Sequence, residues 1–209
     1  MPSANRIGVL ISGRGSNLVA ILDHIDRGEL DASVSVVISN EPEAIGVPVA
    51  RARGVEAVVI DHRASKSREE HDRRMAEVLE ARQVGLVCLA GYMRLLSPWF
   101  VRRLQGRILN VHPSLLPSFP GTGVQRAALE RGVKVSGCTV HFVDEGIDSG
   151  PIVLQEPVPV LDADTPETLA ARILEREHRI YSRAIGLFFS GRLRFSGLRV
   201  LGTDDPSPA

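Results

Sequence analysis

Ile7-Gly8-Val9-Leu10-Ile11-Ser12-Gly13-Arg14-Gly15-Ser16-Asn17-Leu18 begins as an apolar run, turns through two glycines and leads into a segment with helical spacing. Residues 7–11 have the chemistry of a strand buried on both faces. Residues 17–27 place Leu18, Ile21, Leu22 and Ile25 on one side of a helix. Outward from there the alternation repeats. Residues 34–38 read as a strand, 44–53 as a weak helix, and 57–60 as a third strand. A charged helix follows at 67–82, with Met75, Val78 and Leu79 as its apolar stripe, then a wholly apolar strand at 86–90. Strand and helix in strict alternation predict an α/β fold: an open, mostly parallel twisted sheet with helices on both faces.

The second half changes character. Residues 108–112 form a strand that Pro113 stops, and the proline-rich stretch 113–120 is incompatible with regular structure. A short helix near 124–131 precedes two runs with strand chemistry, 137–143 and 152–160, joined by the turn-forming Glu145-Gly146-Ile147-Asp148-Ser149-Gly150-Pro151. These two strands are expected to pair antiparallel and extend the sheet. Thr165 reads as an N-cap with Pro166 at the first helical position and Glu167 in the first turn. The helix it starts is predicted to reach about residue 190, with Leu169, Ile173, Leu174, Ile180 and Tyr181 facing the core. Residues 1–192 read as one domain and 193–209 as an extension, partly disordered, the disorder expected beyond Gly202.

Composition narrows the function. Acidic and basic residues balance at 25 each among 209, with 44% hydrophobic and 24% charged residues. A neutral chain of ordinary globular usage argues against a nucleic-acid coat or a polybasic membrane anchor. No apolar run approaches membrane-spanning length, and the short polar start has no signal-like apolar core. A soluble cytoplasmic protein, as a monomer or homodimer, is expected. Cys88 and Cys138 lie in apolar stretches without C-x-x-C spacing, so they read as buried free thiols. The six histidines are scattered, neither H-E-x-x-H nor a cysteine cluster occurs, and no metal site is expected.

Two motifs carry chemistry. The loop Ser12-Gly13-Arg14-Gly15-Ser16-Asn17 ends the first strand and opens the first helix, with Ser16, Asn17 and free backbone N–H groups expected to face outward. Unpaired N–H donors and the helix dipole make such a turn an anion site. A dinucleotide fingerprint is the rival, but Leu18 stands where its third glycine belongs. A plain structural turn is the third reading. The second motif is Asn110-Val111-His112-Pro113-Ser114. Residues two apart on a strand share a face, so Asn110 and His112 point together from the strand's carboxyl end, where ligands of open α/β sheets bind. An amide donor for an oxyanion beside an imidazole that shuttles protons suits acyl transfer. A strand-end histidine satisfied by a backbone carbonyl is the bland alternative. A nearby carboxylate would orient the imidazole, and Asp144, Glu145 and Asp148 are all candidates. No G-x-S-x-G elbow is present, which argues against a covalent acyl-enzyme.

Four stretches, in order, carry a family resemblance. They are 9–18 (VLISGRGSNL), 89–97 (LAGYMRLLS), 108–117 (ILNVHPSLLP), and His141-Phe142-Val143 with Ile147-Asp148-Ser149-Gly150-Pro151-Ile152. Over residues 7–192 the chain resembles the phosphoribosylglycinamide formyltransferases, a folate-dependent formyltransferase family of purine synthesis with a Rossmann-like fold. The resemblance implies formyl transfer from 10-formyltetrahydrofolate to the amine of phosphoribosylglycinamide. It implies Asn110, His112 and Asp148 as catalytic residues, with Gly15, Ser16 and Asn17 as the phosphate loop and Glu177 near the substrate amine. Met93, Arg94, Leu95 and Leu96, with Val143 and Asp144, correspond to the pteridine-holding segments, Arg68 to a residue near the folate tail, and His141 to a supporting strand histidine. One stretch departs: 121–126 reads Gly-Thr-Gly-Val-Gln-Arg, where the family's covering loop usually carries histidines. The chemistry carries over; that loop's closing contacts do not. Methionyl-tRNA formyltransferase and formyltetrahydrofolate hydrolase share the core, and each is expected to need a further domain.

Overall fold

The computed structural model describes residues 5–204. Its first half runs β1 (Arg6–Ile11), α1 (Ser16–Asp26), β2 (Ser33–Ser39), α2 (Gly46–Ala52), β3 (Ala57–Val59), α3 (Arg68–Ala81), β4 (Leu86–Leu89), α4 (Pro98–Arg103) and β5 (Ile108–His112). Then follow α5 (Val124–Glu130), β6 (Val135–Phe142), β7 (Ile152–Pro159), α6 (Pro166–Phe189), β8 (Arg194–Ser196) and β9 (Arg199–Leu201). Among the described residues the strands make one sheet in the order β3-β2-β1-β4-β5-β6-β7-β9-β8. The pairs from β3 across to β5 are parallel, and β6 and β7 join antiparallel. This is the open, mostly parallel sheet with antiparallel additions that the strand–helix alternation predicts.

The continuous apolar strands follow from burial on both faces. Along β1, Ile7, Val9 and Ile11 enter one core while Leu10 enters the other. The first core lies under α1, α2 and α6, through Leu18, Ile21, Val47, Ala50, Ile173 and Ile180; the second lies under α3 and α4, through Met75, Leu79 and Phe100. Cys88 and Cys138 are both buried and free, and burial pushes the Cys138 thiol up to about 12. α6 begins as its sequence predicts. The Thr165 hydroxyl accepts the Thr168 N–H while Thr168 Oγ1 accepts the Thr165 N–H, closing a capping box with Pro166 in the first turn.

Helix α4 and the hairpin β8–β9 were not anticipated. The first, α4, is started by Ser97, whose hydroxyl accepts the Phe100 N–H, and by Pro98; the Ser-Pro pair is a readable helix start. The hairpin β8–β9 turns at Gly197 and joins the sheet where Ile152 pairs Arg199. Phe195 packs there on Phe142, ring centroids 4.9 Å apart. Much of the segment set apart as an extension thus continues the sheet. The disorder expected beyond Gly202 falls mostly on residues 205–209, outside the described residues.

Candidate active site

From β1 the sheet is built outward in opposite directions, to β2 and β3 on one side and to β4 and β5 on the other. The carboxyl ends of β1, β4 and β5 therefore open onto a topological switch point, where open α/β sheets bind ligands.

At the end of β1, Gly15 has φ 75° and approaches Gly46 so closely that an added Cβ would sit 3.1 Å from the Gly46 Cα. The Gly46 N–H donates to the Gly13 carbonyl at 3.0 Å, locking the turn against the start of α2. α1 then begins with no side-chain cap and no acidic residue in its first turn, so its N–H groups and dipole are left for an anion. Ser16 is exposed there. Asn17, expected to face outward, instead turns inward. It is 7% exposed, and its Nδ2 donates to Glu177 Oε2 at 2.8 Å. Burial raises the Glu177 carboxyl above its ordinary range, with the Asn17 hydrogen bond opposing. One turn further along α6, the Tyr181 hydroxyl faces the carbonyls of Leu89 and Leu109, each at 3.0 Å. One helix face thus holds the start of α1, the carboxyl end of β4 and the start of β5.

Asn110 and His112 share a face of β5 as their spacing requires, and β6 places His141 directly opposite Asn110. The turn 143–150 brings Asp148 back to them. Of the three candidate carboxylates, Asp148 is the one that reaches His112, its Oδ2 lying 3.4 Å from Nδ1. Glu145 pairs outward with Arg102 at 2.9 Å, and Asp144 accepts the Gly146 N–H and the Ser149 hydroxyl within its own turn. Asp148 is held in the left-handed region, φ 49°, and Gly150 allows the return because a Cβ there would lie 1.9 Å from the Phe142 carbonyl oxygen.

The hydrogen bonds set the orientation of each group. His112 Nε2 faces the Phe119 carbonyl at 2.9 Å, so its Nδ1 is the nitrogen turned to Asp148. Asn110 Nδ2 lies 3.1 Å from His141 Nε2 and 3.4 Å from Asp148 Oδ1, while His141 Nδ1 faces the Phe142 carbonyl at 2.9 Å. The Gly121 N–H donates to Asp148 Oδ2 at 2.8 Å. Burial works to raise the Asp148 carboxyl. The neighbouring His141 ring, the Gly121 N–H and His112 outweigh it and hold that carboxyl below its ordinary range. The backbone carbonyl of the bland reading is present at Nε2, and the other ring nitrogen, Nδ1, faces Asp148.

Residues 93–96 run from β4 toward α4, with Met93 and Leu95 exposed. Val143 and Asp144 follow β6, and the Val143 N–H donates to the Ile108 carbonyl at 3.0 Å. Arg68 opens α3 on the exposed surface. Sequence reasoning did not find the Phe119 carbonyl and the Gly121 N–H. Backbone groups carry no residue signature; the proline-rich stretch marked the loop as irregular without saying which way its amides point.

The chain matches the family described as formyl transferase over residues 5–185. A phosphoribosylglycinamide formyltransferase of Escherichia coli is 43% identical over 188 residues, covering 90% of this chain and 89% of that protein. The trifunctional purine biosynthetic protein adenosine-3 of Drosophila melanogaster is 48% identical over 188 residues, and the chain spans 14% of that protein's length. The crystal structure of glycinamide ribonucleotide transformylase 1 from Symbiobacterium toebii matches with a TM-score of 0.93 at 55% identity, over 96% of this chain and 94% of that one.

Proposed function

This chain belongs to the formyl transferase family, and from that premise we propose that it moves the formyl group of 10-formyltetrahydrofolate onto the amine of 5-phosphoribosylglycinamide, in de novo purine synthesis. The observation that carries the reading is the meeting of Asn110, His112 and Asp148 at the sheet's carboxyl edge. The uncapped α1 at the same edge gives the substrate phosphate a place. Relatives bearing this activity in their names support the acceptor. Among the described residues no helix is long and apolar enough to cross a membrane. The proposal is of a cytoplasmic enzyme on two small-molecule substrates, with no metal in its mechanism.

In the proposed mechanism the amine nitrogen attacks the formyl carbon, and the carbonyl pair moves to oxygen. Asn110 Nδ2–H and a His112 N–H stabilise the resulting oxyanion. Asp148 keeps the His112 ring turned so that Nδ1 serves the reaction, Nε2 being occupied by the Phe119 carbonyl. A proton leaves the attacking amine and reaches the folate nitrogen through His112, Asp148 and water; the bond from that nitrogen to the formyl carbon breaks. Tetrahydrofolate departs and the acceptor keeps the formamide. Gly15, Ser16 and Asn17 bind the phosphate end. Glu177, which holds the Asn17 amide, lies toward the substrate amine. Met93, Arg94, Leu95, Leu96, Val143 and Asp144 receive the folate ring, and Arg68 its tail. Incubation of the purified protein with both substrates should release tetrahydrofolate in step with consumption of the amine. Release that proceeds equally well without the amine, to water, would replace this reading with a hydrolase.

A further inference from the structure

Behind the segment 93–96 lies a buried carboxylate for which the proposed chemistry has no use. Asp72 on α3 is 1% exposed. One oxygen accepts the Ser97 N–H at 2.6 Å, and the other lies 3.2 Å from His71 Nδ1. His71, equally buried, places its Nε2 against the Ile60 carbonyl at 2.9 Å. A carboxylate in such a place is costly unless its partners matter. Starting α4 does not require it, since Ser97 and Pro98 already cap that helix. What Asp72 fixes is the point where the loop after β4 stops and α4 begins.

The other end of the loop is held as firmly. The Ser12 N–H donates to the Gly91 carbonyl at 3.1 Å, and the Met93 N–H donates to the Ser12 hydroxyl at 2.8 Å. That hydroxyl donates in turn to Asn40 Oδ1 at 2.5 Å, on a side chain that is itself buried. Between the two clamps Met93 stands 73% exposed and Leu95 53%. Exposed apolar side chains on a backbone pinned from beneath form a surface preset for a flat, largely apolar ligand, with its ordering cost already met in folding.

We propose that Asp72, acting through the Ser97 N–H, and Ser12, acting through the Met93 N–H, are positioning residues that preset residues 93–96 for the folate ring. The inference rests on the reading of those residues as the folate segment. Trp99, the chain's one tryptophan, lies two residues past Ser97 in α4 with Arg73 over its ring at 4.2 Å, so its emission reports on this region. Tetrahydrofolate is titrated into the full chain and into Asp72→Ala, Asp72→Asn and Ser12→Ala, following Trp99 emission, and KM is measured for each substrate. Both alanine variants should bind tetrahydrofolate about tenfold more weakly, the scale of one hydrogen bond to a charged or fully engaged acceptor. The KM for phosphoribosylglycinamide should stay within about twofold. Asp72→Asn should recover most of the affinity, because its carbonyl oxygen still accepts from Ser97. If Asp72→Ala fails to melt cooperatively, Ser12→Ala decides the matter from the other clamp. Folded variants that bind tetrahydrofolate like the parent, or that raise both KM values equally, overturn the positioning role alone. A parent chain that does not bind tetrahydrofolate overturns the folate reading itself.

Discussion

Asp148 shows how much a single residue must satisfy here. It occupies a left-handed backbone conformation, faces two imidazoles, and takes an N–H from the loop that covers His112. Loss of a preorganised donor to an oxyanion costs roughly 100- to 1000-fold in rate. His112→Ala and Asp148→Asn should each lower kcat at least that far while the melting transition stays cooperative; near-normal turnover in either purified variant would remove these residues from the mechanism. Stability carries a separate signature. The folded Asp148 carboxyl is held below its ordinary range, so its contribution is present above the unfolded value and is lost as pH falls through the folded one. The Tm gap between the parent and Asp148→Asn should therefore be open at neutral pH and close below about pH 4. A gap that widens on acidification contradicts the assignment.

At the scale of the element, α6 is the piece that ties the site together. Glu177 grips Asn17 from a position 6% exposed, and burial raises its carboxyl, so folding works against its ionised form. Glu177→Gln keeps an acceptor for Asn17 and removes the buried ionisable group. It should raise Tm at pH 7.5 by about 2–4 °C, equivalent to about 1 kcal/mol at this size, while raising KM for the amine substrate about tenfold. A lower Tm with unchanged KM would show Glu177 to be structural only. The next residue titrates the other way. His178 faces α1, its Nε2 is buried without a hydrogen-bond partner among the described residues, and burial with His24 nearby holds its pKa down. A histidine whose pKa folding lowers adds no pH-linked stability above its unfolded pKa and costs stability as pH falls through it, because the unfolded chain then binds the proton more readily. Between pH 7.5 and about pH 5.5 the parent should lose more Tm than His178→Leu does; parallel losses would refute the coupling.

For the whole molecule, the sheet's carboxyl edge is supported by the strands from β1 to β7 and by helices on both faces, while β8 and β9 join beyond β7. Phe195 is half exposed even where it covers Phe142. Burying half of such a ring is worth about 1–1.5 kcal/mol. A chain cut after Arg192 should therefore fold cooperatively, melt about 3–6 °C lower, and keep kcat within about threefold of the parent. Calorimetry and the tetrahydrofolate-release assay measure both. Loss of cooperative folding would show that the hairpin is part of the domain rather than an addition to it.

Local pattern was enough to determine the layered sheet, the cap of α6, the glycine turn after β1, and the shared face of Asn110 and His112. Each depends on a repeat of two or 3.6 residues, or on a residue type that favours one backbone geometry, and neighbours in sequence supply both. Local pattern did not choose among Asp144, Glu145 and Asp148, because all three lie in one turn and differ only in where the turn points them. The fold made that choice: the close return at Gly150 sends Asp148 to His112, Glu145 to Arg102, and Asp144 back onto the turn itself. Tertiary packing likewise turned Asn17 inward to Glu177, 160 residues away, and set the Phe119 carbonyl against His112. These contacts depend on which segments the closed core brings within hydrogen-bond distance, a property of the packed chain that no single stretch contains.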